Sequence, residues 1–213
     1  MKTIKIVLLG WGCAVALGAQ AAVMWQTWTV NQTIPEGNPV GITFTGAFSA
    51  ANAGDQVLGL TVGLTLSGGY NGNLYAYLLS PEGVKVVLMN QPGVSVNGFG
   101  ASGSGMNITL TDAYTAQGAI QNVTSSSVLS GAYNPAEQFS YFGTSGTPGG
   151  LANGTWTLFF ADLATGGGTS TLESWRVGME LSAVPEPSEW AALSLGLLGV
   201  VWVVKRRFMP ARA

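Results

Sequence analysis

The middle of the chain alternates between apolar and polar residues with a period of two, the pattern of strands that bury one face. Between residues 58 and 66 every second position is Leu or Val, with Gly or Thr between them. We therefore predict that Leu58 and the residues in phase with it face a core. The same alternation places Val40 inward in segment 40–44. It recurs further along the chain, at 84–88, 106–110, 156–160 and 175–181.

Turn-forming residues separate these runs. The chain has 31 glycines, and glycine supplies the positive φ angles that many tight turns need. The sequences Asn-Gly at 71–72 and Ser-Pro-Glu-Gly at 80–83 predict turns. Before residue 184 no segment predicts a helix, apart from one turn near 113–118. Many short strands with regular turns predict one all-β domain over 22–183, a β-sandwich or jelly roll.

The charged residues are few and unevenly placed. They make up 8% of the chain, and only Lys85 and Arg176 are basic in the middle segment. The other basic residues lie at the chain ends: Lys2, Lys5, Lys205, Arg206, Arg207 and Arg212. A nucleic-acid-binding protein needs clustered Lys and Arg to displace counterions from phosphates. The middle segment is acidic instead, so this class of protein is excluded.

The N-terminus has the three parts of a secretory signal peptide spanning 1–21. Two lysines open it, residues 6–17 are apolar, and Ala19 and Ala21 precede a predicted signal-peptidase cut before Ala22. A transmembrane helix is the alternative, but the apolar run is too short and is followed directly by strand-like sequence. We expect the protein to be exported.

The groups that most often do catalysis are missing. Histidine is absent, and the single cysteine, Cys13, lies inside the signal peptide. A lipid anchor on Cys13 is disfavoured because Trp11 occupies a position where lipidation requires a small residue. Once the signal is removed, the chain lacks a thiolate nucleophile and the commonest general base and metal ligand. We therefore predict that the protein is not an enzyme and holds no cofactor.

Three features follow one another in the C-terminal segment, 184–213: the motif Pro185, Glu186 and Pro187; an apolar run at 190–204; and the basic cluster Lys205, Arg206 and Arg207. A helix of about 15 residues reaches roughly 22 Å, short of the roughly 30 Å hydrocarbon core of a bilayer. The basic cluster predicts a cytoplasmic C-terminus and an exported domain. A buried core helix is the alternative, but no polar stripe interrupts the run.

This order of motif, apolar helix and basic cluster resembles the PEP-CTERM sorting tail of Gram-negative bacteria. The resemblance implies an exosortase-like membrane peptidase as a partner, which processes the chain near Pro185, Glu186 and Pro187. It implies that the protein is anchored in the inner membrane before processing. Afterwards it would belong to the cell envelope, the cell surface or the extracellular space. A marginal span suits a segment that is recognised and removed.

A second resemblance covers residues 34–181. Segments 34–41 and 73–83 are similar to the opening and to one hairpin of the P domain (P/Homo B) of proprotein convertases. The sequence Gly-Thr-Trp-Thr-Leu at 154–158, then Asp162, then Leu-Glu-Ser-Trp at 172–175 resembles the closing hairpin of that family. The resemblance implies a β jelly roll. No subtilisin-like catalytic domain precedes it in this chain, so proteolytic activity is not implied.

Three aspartates are candidate calcium ligands: Asp55, Asp112 and Asp162. Each lies beside a predicted turn, where hydrogen bonds from its side chain to the backbone explain it equally well. No alternating Asp-x-Asp-x-Asp loop is present, although oxygen ligands for Ca²⁺ can converge from separate loops. We prefer the interpretation that these aspartates have a structural role, and calcium binding is the alternative.

Two further patterns could indicate a cofactor site or a catalytic site. Residues 98–103 read Gly-Phe-Gly-Ala-Ser-Gly, which matches a dinucleotide fingerprint by letter but is followed by strand-like sequence and not by a helix. We interpret it as a loop. Glu82 and Glu173 could form the carboxylate pair of a glycosidase only if the fold brought them together, and nothing in the sequence predicts that.

The main functional hypothesis is an exported, non-catalytic envelope protein that acts by binding or by structure, linked to exopolysaccharide or to a surface protein. Tyr75 and Tyr77 share one strand face, and exposed aromatic rings on a β-sandwich can stack on sugars. Packing between the rings is the other interpretation. The alternative function is an accessory P domain that serves a separate subtilisin-like protease.

Overall fold

The computed structural model describes residues 22–49, 56–140, 142 and 153–182. These residues form strands joined by tight turns and loops. The strands are β1 (Ala22–Ile34), β2 (Asn38–Phe48), β3 (Gln56–Tyr70), β4 (Leu74–Leu79), β5 (Lys85–Asn90), β6 (Ser104–Thr111), β7 (Leu129–Tyr133), β8 (Gly154–Asp162) and β9 (Ser170–Ser182). A four-residue helix, α1 (Val94–Asn97), and two 3-10 turns, Asn71–Asn73 and Ile120–Asn122, complete the described part.

The strands form two sheets, which we call sheet A and sheet B. Sheet A has the order β1-β9-β3-β6-β7, and sheet B has the order β2-β8-β4-β5. With β7 set aside, the pairing is nested: β1 pairs with β9, β2 with β8, β3 with β6 and β4 with β5. The predicted β-sandwich is confirmed.

The inward faces of both sheets form one apolar core. Trp156, Leu158 and Phe160 on β8 are buried, as are Trp175 and Val177 on β9. These residues follow the period-two alternation of the sequence, which therefore predicts their orientation correctly. Burial of apolar surface at about 25 cal/mol per Å² is the main force that holds two such sheets together.

Two of the predicted inward residues face solvent, because β-bulges change the phase of their strands. Val57 pairs with Leu181 and Gly59 with Glu180, so Leu58 is an extra residue in β3, and its side chain is 59% exposed. In β2 the pairing is interrupted between residues 38 and 42, and Val40 is 81% exposed. The prediction that both face the core is wrong at these two positions. The extra residue of a bulge breaks the alternation locally, and beyond the bulges Leu60 and Phe44 are buried as the alternation predicts.

The strand-like sequence that follows the predicted signal peptide forms β1, which pairs with β9 along its length. Strand β7, which pairs in parallel with β6, was not predicted. Helix α1 is flanked by Gly93 and Gly98, both in the left-handed conformation, which explains why it ends after four residues. Segment 113–118 contains a turn and no helix.

Several sequence predictions concern residues outside the described ranges. These are the signal peptide with its cleavage site, Asp55, and the C-terminal segment with its sorting motif and basic cluster. Within the described ranges no helix is both long enough and apolar enough to cross a membrane.

Candidate functional site

Two of the candidate calcium ligands, Asp112 and Asp162, lie at opposite ends of the sandwich, and the third, Asp55, is outside the described residues. Asp112 follows the last residue of β6, whereas Asp162 is the last residue of β8. Asp162 pairs with Leu74, where β4 begins, so it lies at the end of the sandwich that holds the 71–73 turn. Strand β6 begins at this same end and runs away from it, which carries Asp112 to the opposite end. Among the described residues no group of three or more Asp, Glu, His or Cys side chains is arranged to hold a metal ion.

Asp112 binds backbone groups of a distant loop. Its Oδ1 accepts a hydrogen bond of 2.9 Å from the amide of Phe139, and its Oδ2 accepts one of 2.9 Å from the amide of Ser140. Glu137 acts in the same way, because its Oε2 accepts a bond of 2.8 Å from the amide of Val87. Both carboxylates hold the 134–140 segment against the sheets, and the bonds of Asp112 go to this distant loop and not to the turn beside it.

Asp162 is the one fully buried carboxyl group of the described residues. Its Oδ1 accepts a hydrogen bond of 3.2 Å from the amide of Ala164, while Oδ2 makes no hydrogen bond of ordinary geometry. Burial raises the pKa of this carboxyl group, and the nearby carboxylate of Glu36 raises it further. The amides of Ala164 and Gly37 lower it again, but burial is the largest effect.

The surroundings of Asp162 join three loops at one end of the sandwich. Glu36 Oε1 accepts a bond of 2.8 Å from the amide of Gly166, and Asn73 Nδ2 donates one of 2.8 Å to the carbonyl of Gly166. The amide of Leu163 donates to the carbonyl of Asn73. This network holds the 35–37 and 163–169 loops to the 71–73 turn, and it engages one oxygen of Glu36.

The two tyrosines predicted to share a face do so, on the outer face of sheet B. Tyr77 stacks on Phe159 with ring centroids 4.6 Å apart, and Tyr75 contacts both rings edge-on at 6.1 Å. Lys85 approaches the ring of Tyr77 at 5.6 Å, and Phe159 extends over Gly41. The rings are engaged with one another across β4 and β8. Packing between side chains is therefore the better interpretation of this face.

The outer face of sheet A presents a different arrangement, which the sequence did not predict. Trp25 on β1 is 48% exposed, and its ring lies over Gly178 of β9. The guanidinium of Arg176 is 4.8 Å from the centre of this ring. The Arg176 side chain extends across Gly63 of β3, where its Cγ would be 2.7 Å from a Cβ atom. We call Trp25 and Arg176, resting on these two glycines, the Trp25–Arg176 platform.

A shallow polar groove of about 340 Å³ borders this platform. Its lining includes Thr27, Thr65, Asn107, Ser174 and Arg176. The hydroxyl and amide groups come from strands β1, β3, β6 and β9, which the sheet order brings side by side. The groove therefore combines a cation with neutral donors and acceptors.

A larger cavity of about 490 Å³ lies at the end of the sandwich where β9 finishes. It is lined mainly by apolar residues, among them Val23, Leu58 and Phe142, together with Asp112 and Glu180. The carboxylate of Asp112 already accepts two backbone hydrogen bonds. The lining of this cavity is therefore more apolar than that of the groove on sheet A.

The remaining sequence motifs have no catalytic geometry. The glycine-rich segment 98–103 follows α1 and leads into β6, so no helix N-terminus faces it. This agrees with its interpretation as a loop. Glu82 lies in the turn between β4 and β5, and Glu173 lies near the start of β9, towards the opposite end of the sandwich. They do not form the carboxylate pair of a glycosidase.

No model of a known protein family matches the chain, and no curated protein matches it in sequence. Among solved structures it is similar to the Aeromonas sobria serine protease in complex with the chaperone ORF2, with a TM-score of 0.47 and 15% identity. It is similar to the same serine protease alone with a TM-score of 0.44 and 17% identity. In both comparisons 76% of this chain is matched, and it spans 27% of the other chain.

Proposed function

We propose that this chain is an exported, non-catalytic envelope protein whose β-sandwich acts by binding. The domain is a jelly roll built on the nested pairing of its strands. The signal peptide directs export, and the segment 184–213 holds the chain in the inner membrane until an exosortase-like peptidase processes it. The mature domain then belongs to the cell surface or to the surrounding matrix.

One observation carries the non-catalytic part of this proposal. The described carboxylates with known contacts are used to hold loops: Asp112 and Glu137 bind backbone amides, and Glu36 and Asp162 lie in the network of the 163–169 loop. A general acid or base needs a free side chain with a partner in reach of a substrate. The exposed Trp25 and the polar groove at Arg176 lie on the outer face of sheet A, which suits binding.

The test is a comparison of turnover and binding by the full chain purified in detergent. We expect no hydrolysis of casein, of nitrophenyl esters or of nitrophenyl glycosides above a buffer control. We also expect the immobilised chain to retain a component of the envelope fraction of its own host. Hydrolysis that disappears with a point substitution in this chain would refute the proposal.

A second candidate is an accessory P domain for a separate subtilisin-like protease. It is favoured by Trp156 and Trp175, which match the core of that family in the resemblance and are buried here. Asp162, the third matched residue, is buried at the end of β8. Strands β8 and β9 belong to different sheets, so they do not form the closing hairpin that the resemblance implies. Co-purification of a subtilisin-like protease with the chain from its own host, and a loss of protease stability when the chain is deleted, would favour this candidate.

A further inference from the structure

The Trp25–Arg176 platform depends on glycine at two outward positions. Gly63 and Gly178 point to the same face of sheet A, since Gly63 pairs with Arg176, and Gly178 pairs with both Trp25 and Thr61. Any side chain at Gly63 would collide with the Arg176 side chain, and any side chain at Gly178 would collide with the indole of Trp25. The two glycines therefore allow a long cation and an aromatic ring to lie across the sheet.

The guanidinium of Arg176 has no carboxylate partner within the described residues. The outward carboxylate of the same strand, Glu180, turns towards Gly59 instead, with its Oε2 at 3.2 Å from the position of a Cβ there. An exposed guanidinium presents a planar set of donors that matches a carboxylate in two parallel hydrogen bonds. The charge of the groove is therefore complementary to a carboxylate ligand.

The other groups around Arg176 are those that bind a sugar. Thr27, Thr65, Ser174 and Asn107 offer neutral donors and acceptors in the groove, and Trp25 offers an exposed indole beside it. A pyranose ring has hydroxyls at its edge and C–H groups on its faces, so it uses both kinds of contact. A single cation is too little for nucleic acid, which needs many phosphate contacts.

From this geometry we propose that the outer face of sheet A binds an acidic polysaccharide, with a uronate carboxylate on Arg176 and a sugar ring against Trp25. This proposal rests on the binding function proposed above and specifies its ligand class. Hydroxyl groups of the same sugar would occupy the groove. The ligand lies along the sheet and crosses β1, β9 and β3, so several residues of the polymer contact the surface together.

The experiment measures binding of the full chain in detergent to three immobilised polymers. Alginate carries carboxylates on sugar rings, dextran has sugar rings without carboxylates, and polyacrylate has carboxylates without sugar rings. We expect binding to alginate above the other two, and we expect it to weaken as ionic strength rises past about 0.15 M, where charges about 8 Å apart are screened.

Substitutions then locate the site. Arg176→Ala should weaken alginate binding at least about tenfold, as expected for losing charge-assisted hydrogen bonds, and Arg176→Lys should restore part of it because the charge remains without the planar donors. Trp25→Ala should also weaken binding. Gly63→Ala should weaken it while retaining the guanidinium, because a Cβ there displaces the Arg176 side chain.

Lys85→Ala is the matched control, because it removes the other basic residue of the described ranges, on sheet B. Equal losses for Arg176→Ala and Lys85→Ala, or equal binding to polyacrylate, would mean that only general charge attraction acts, and would overturn the proposal. No binding to alginate, binding to dextran that does not depend on Arg176, or a protein partner lost on Arg176→Ala would also overturn it. The broader proposal of a non-catalytic binding protein would survive these outcomes, since it is tested by turnover and by retention of envelope components.

Discussion

At the residue scale, Trp175 is one of the largest fully buried side chains of the core. It is 1% exposed and stacks on Trp28 of the neighbouring strand with ring centroids 4.2 Å apart. Its Nε1 is buried and makes no hydrogen bond among the described residues. The ring therefore contributes through apolar burial and stacking, and the unpaired N–H subtracts part of that contribution.

We predict that Trp175→Ala lowers the free energy of unfolding by about 3–5 kcal/mol, the usual cost of deleting a core aromatic ring. Trp175→Phe should cost less, because it keeps an aromatic ring and removes the unpaired N–H group. Denaturant unfolding of both variants measures the difference. An alanine variant as stable as the parent protein would contradict the burial described here.

The buried carboxyl group of Asp162 predicts that its contribution to stability decreases as pH rises, which is the opposite of the usual behaviour of a carboxyl group. Burial raises the pKa of its carboxyl group in the folded chain above the ordinary value of 3.8. The unfolded chain therefore loses this proton at a lower pH than the folded chain. The contribution of Asp162 to stability is complete below pH 3.8 and is lost as pH rises through the higher folded pKa.

The measurement is the difference in unfolding free energy between Asp162→Asn and the parent protein at several pH values. Asparagine keeps an oxygen that can accept the Ala164 hydrogen bond but does not ionise. We expect the unfolding free energy of the variant to rise relative to that of the parent as pH rises from 3.8 towards neutrality. If this difference stayed constant with pH, or fell, Asp162 would not lie in a buried site that favours the neutral form of its carboxyl group.

At the element scale, the bulges in β2 and β3 determine which residues face outward. The bulge in β2 contains Gly41 with φ of +62°, and a Cβ there would collide with the ring of Phe159 and the carbonyl oxygen of Phe160. Gly83, in the turn between β4 and β5, has φ of +83° with no atom within 4 Å of the Cβ position. At both glycines a residue with a side chain would have a strained backbone, but only Gly41 also has atoms packed against the position of a Cβ.

We predict that Gly83→Ala costs about 1–2 kcal/mol, the usual penalty for an L-residue in the left-handed region. Gly41→Ala should cost roughly 1–3 kcal/mol more, because a backbone oxygen of β8 must move to admit the methyl group. Thermal or denaturant unfolding compares the pair. Equal losses of unfolding free energy at the two sites would mean that the bulge in β2 accommodates a methyl group without moving β8.

At the scale of the whole molecule, the two chain ends of the domain lie side by side. Ala22 begins β1, and its pairing partner Leu181 lies one residue before the end of β9. Ala22, where the signal peptidase is predicted to cut, and Ser182, the last described residue before the predicted sorting segment, therefore lie at the same end of the sandwich. The loops around Asp162 occupy the opposite end, and the outer face of sheet A lies between them.

The sorting tail that the sequence predicts at 184–213 leads to a prediction about processing. In a host with an exosortase, the mature protein should lack the residues beyond about 188, and a host without one should retain them. Replacing Pro185 and Pro187 by alanine should leave the full-length form in the inner membrane. Intact-mass measurement of the native protein distinguishes these outcomes. A retained C-terminus in the exosortase-containing host would leave a permanent membrane anchor as the explanation.

The sequence by itself determined the fold class and most of the core. Alternation along β6, β8 and β9 assigned Trp156, Trp175 and their neighbours to the interior, because strand periodicity is a local property of the backbone. The same reasoning recognised segment 98–103 as a loop. It placed Leu58 and Val40 incorrectly, since a bulge arises from pairing with a distant strand and leaves no mark in the local alternation.

Only the tertiary structure decided which outward residues share a surface. Trp25 and Arg176 are far apart in the sequence, and they meet because β1 pairs with β9. The sequence contained part of the information, because glycines at outward positions, such as Gly63 and Gly178, leave room for large neighbouring side chains. Their neighbours are set by the register between strands from opposite ends of the chain. That register is fixed by packing of the whole sandwich, so no local pattern could reveal it.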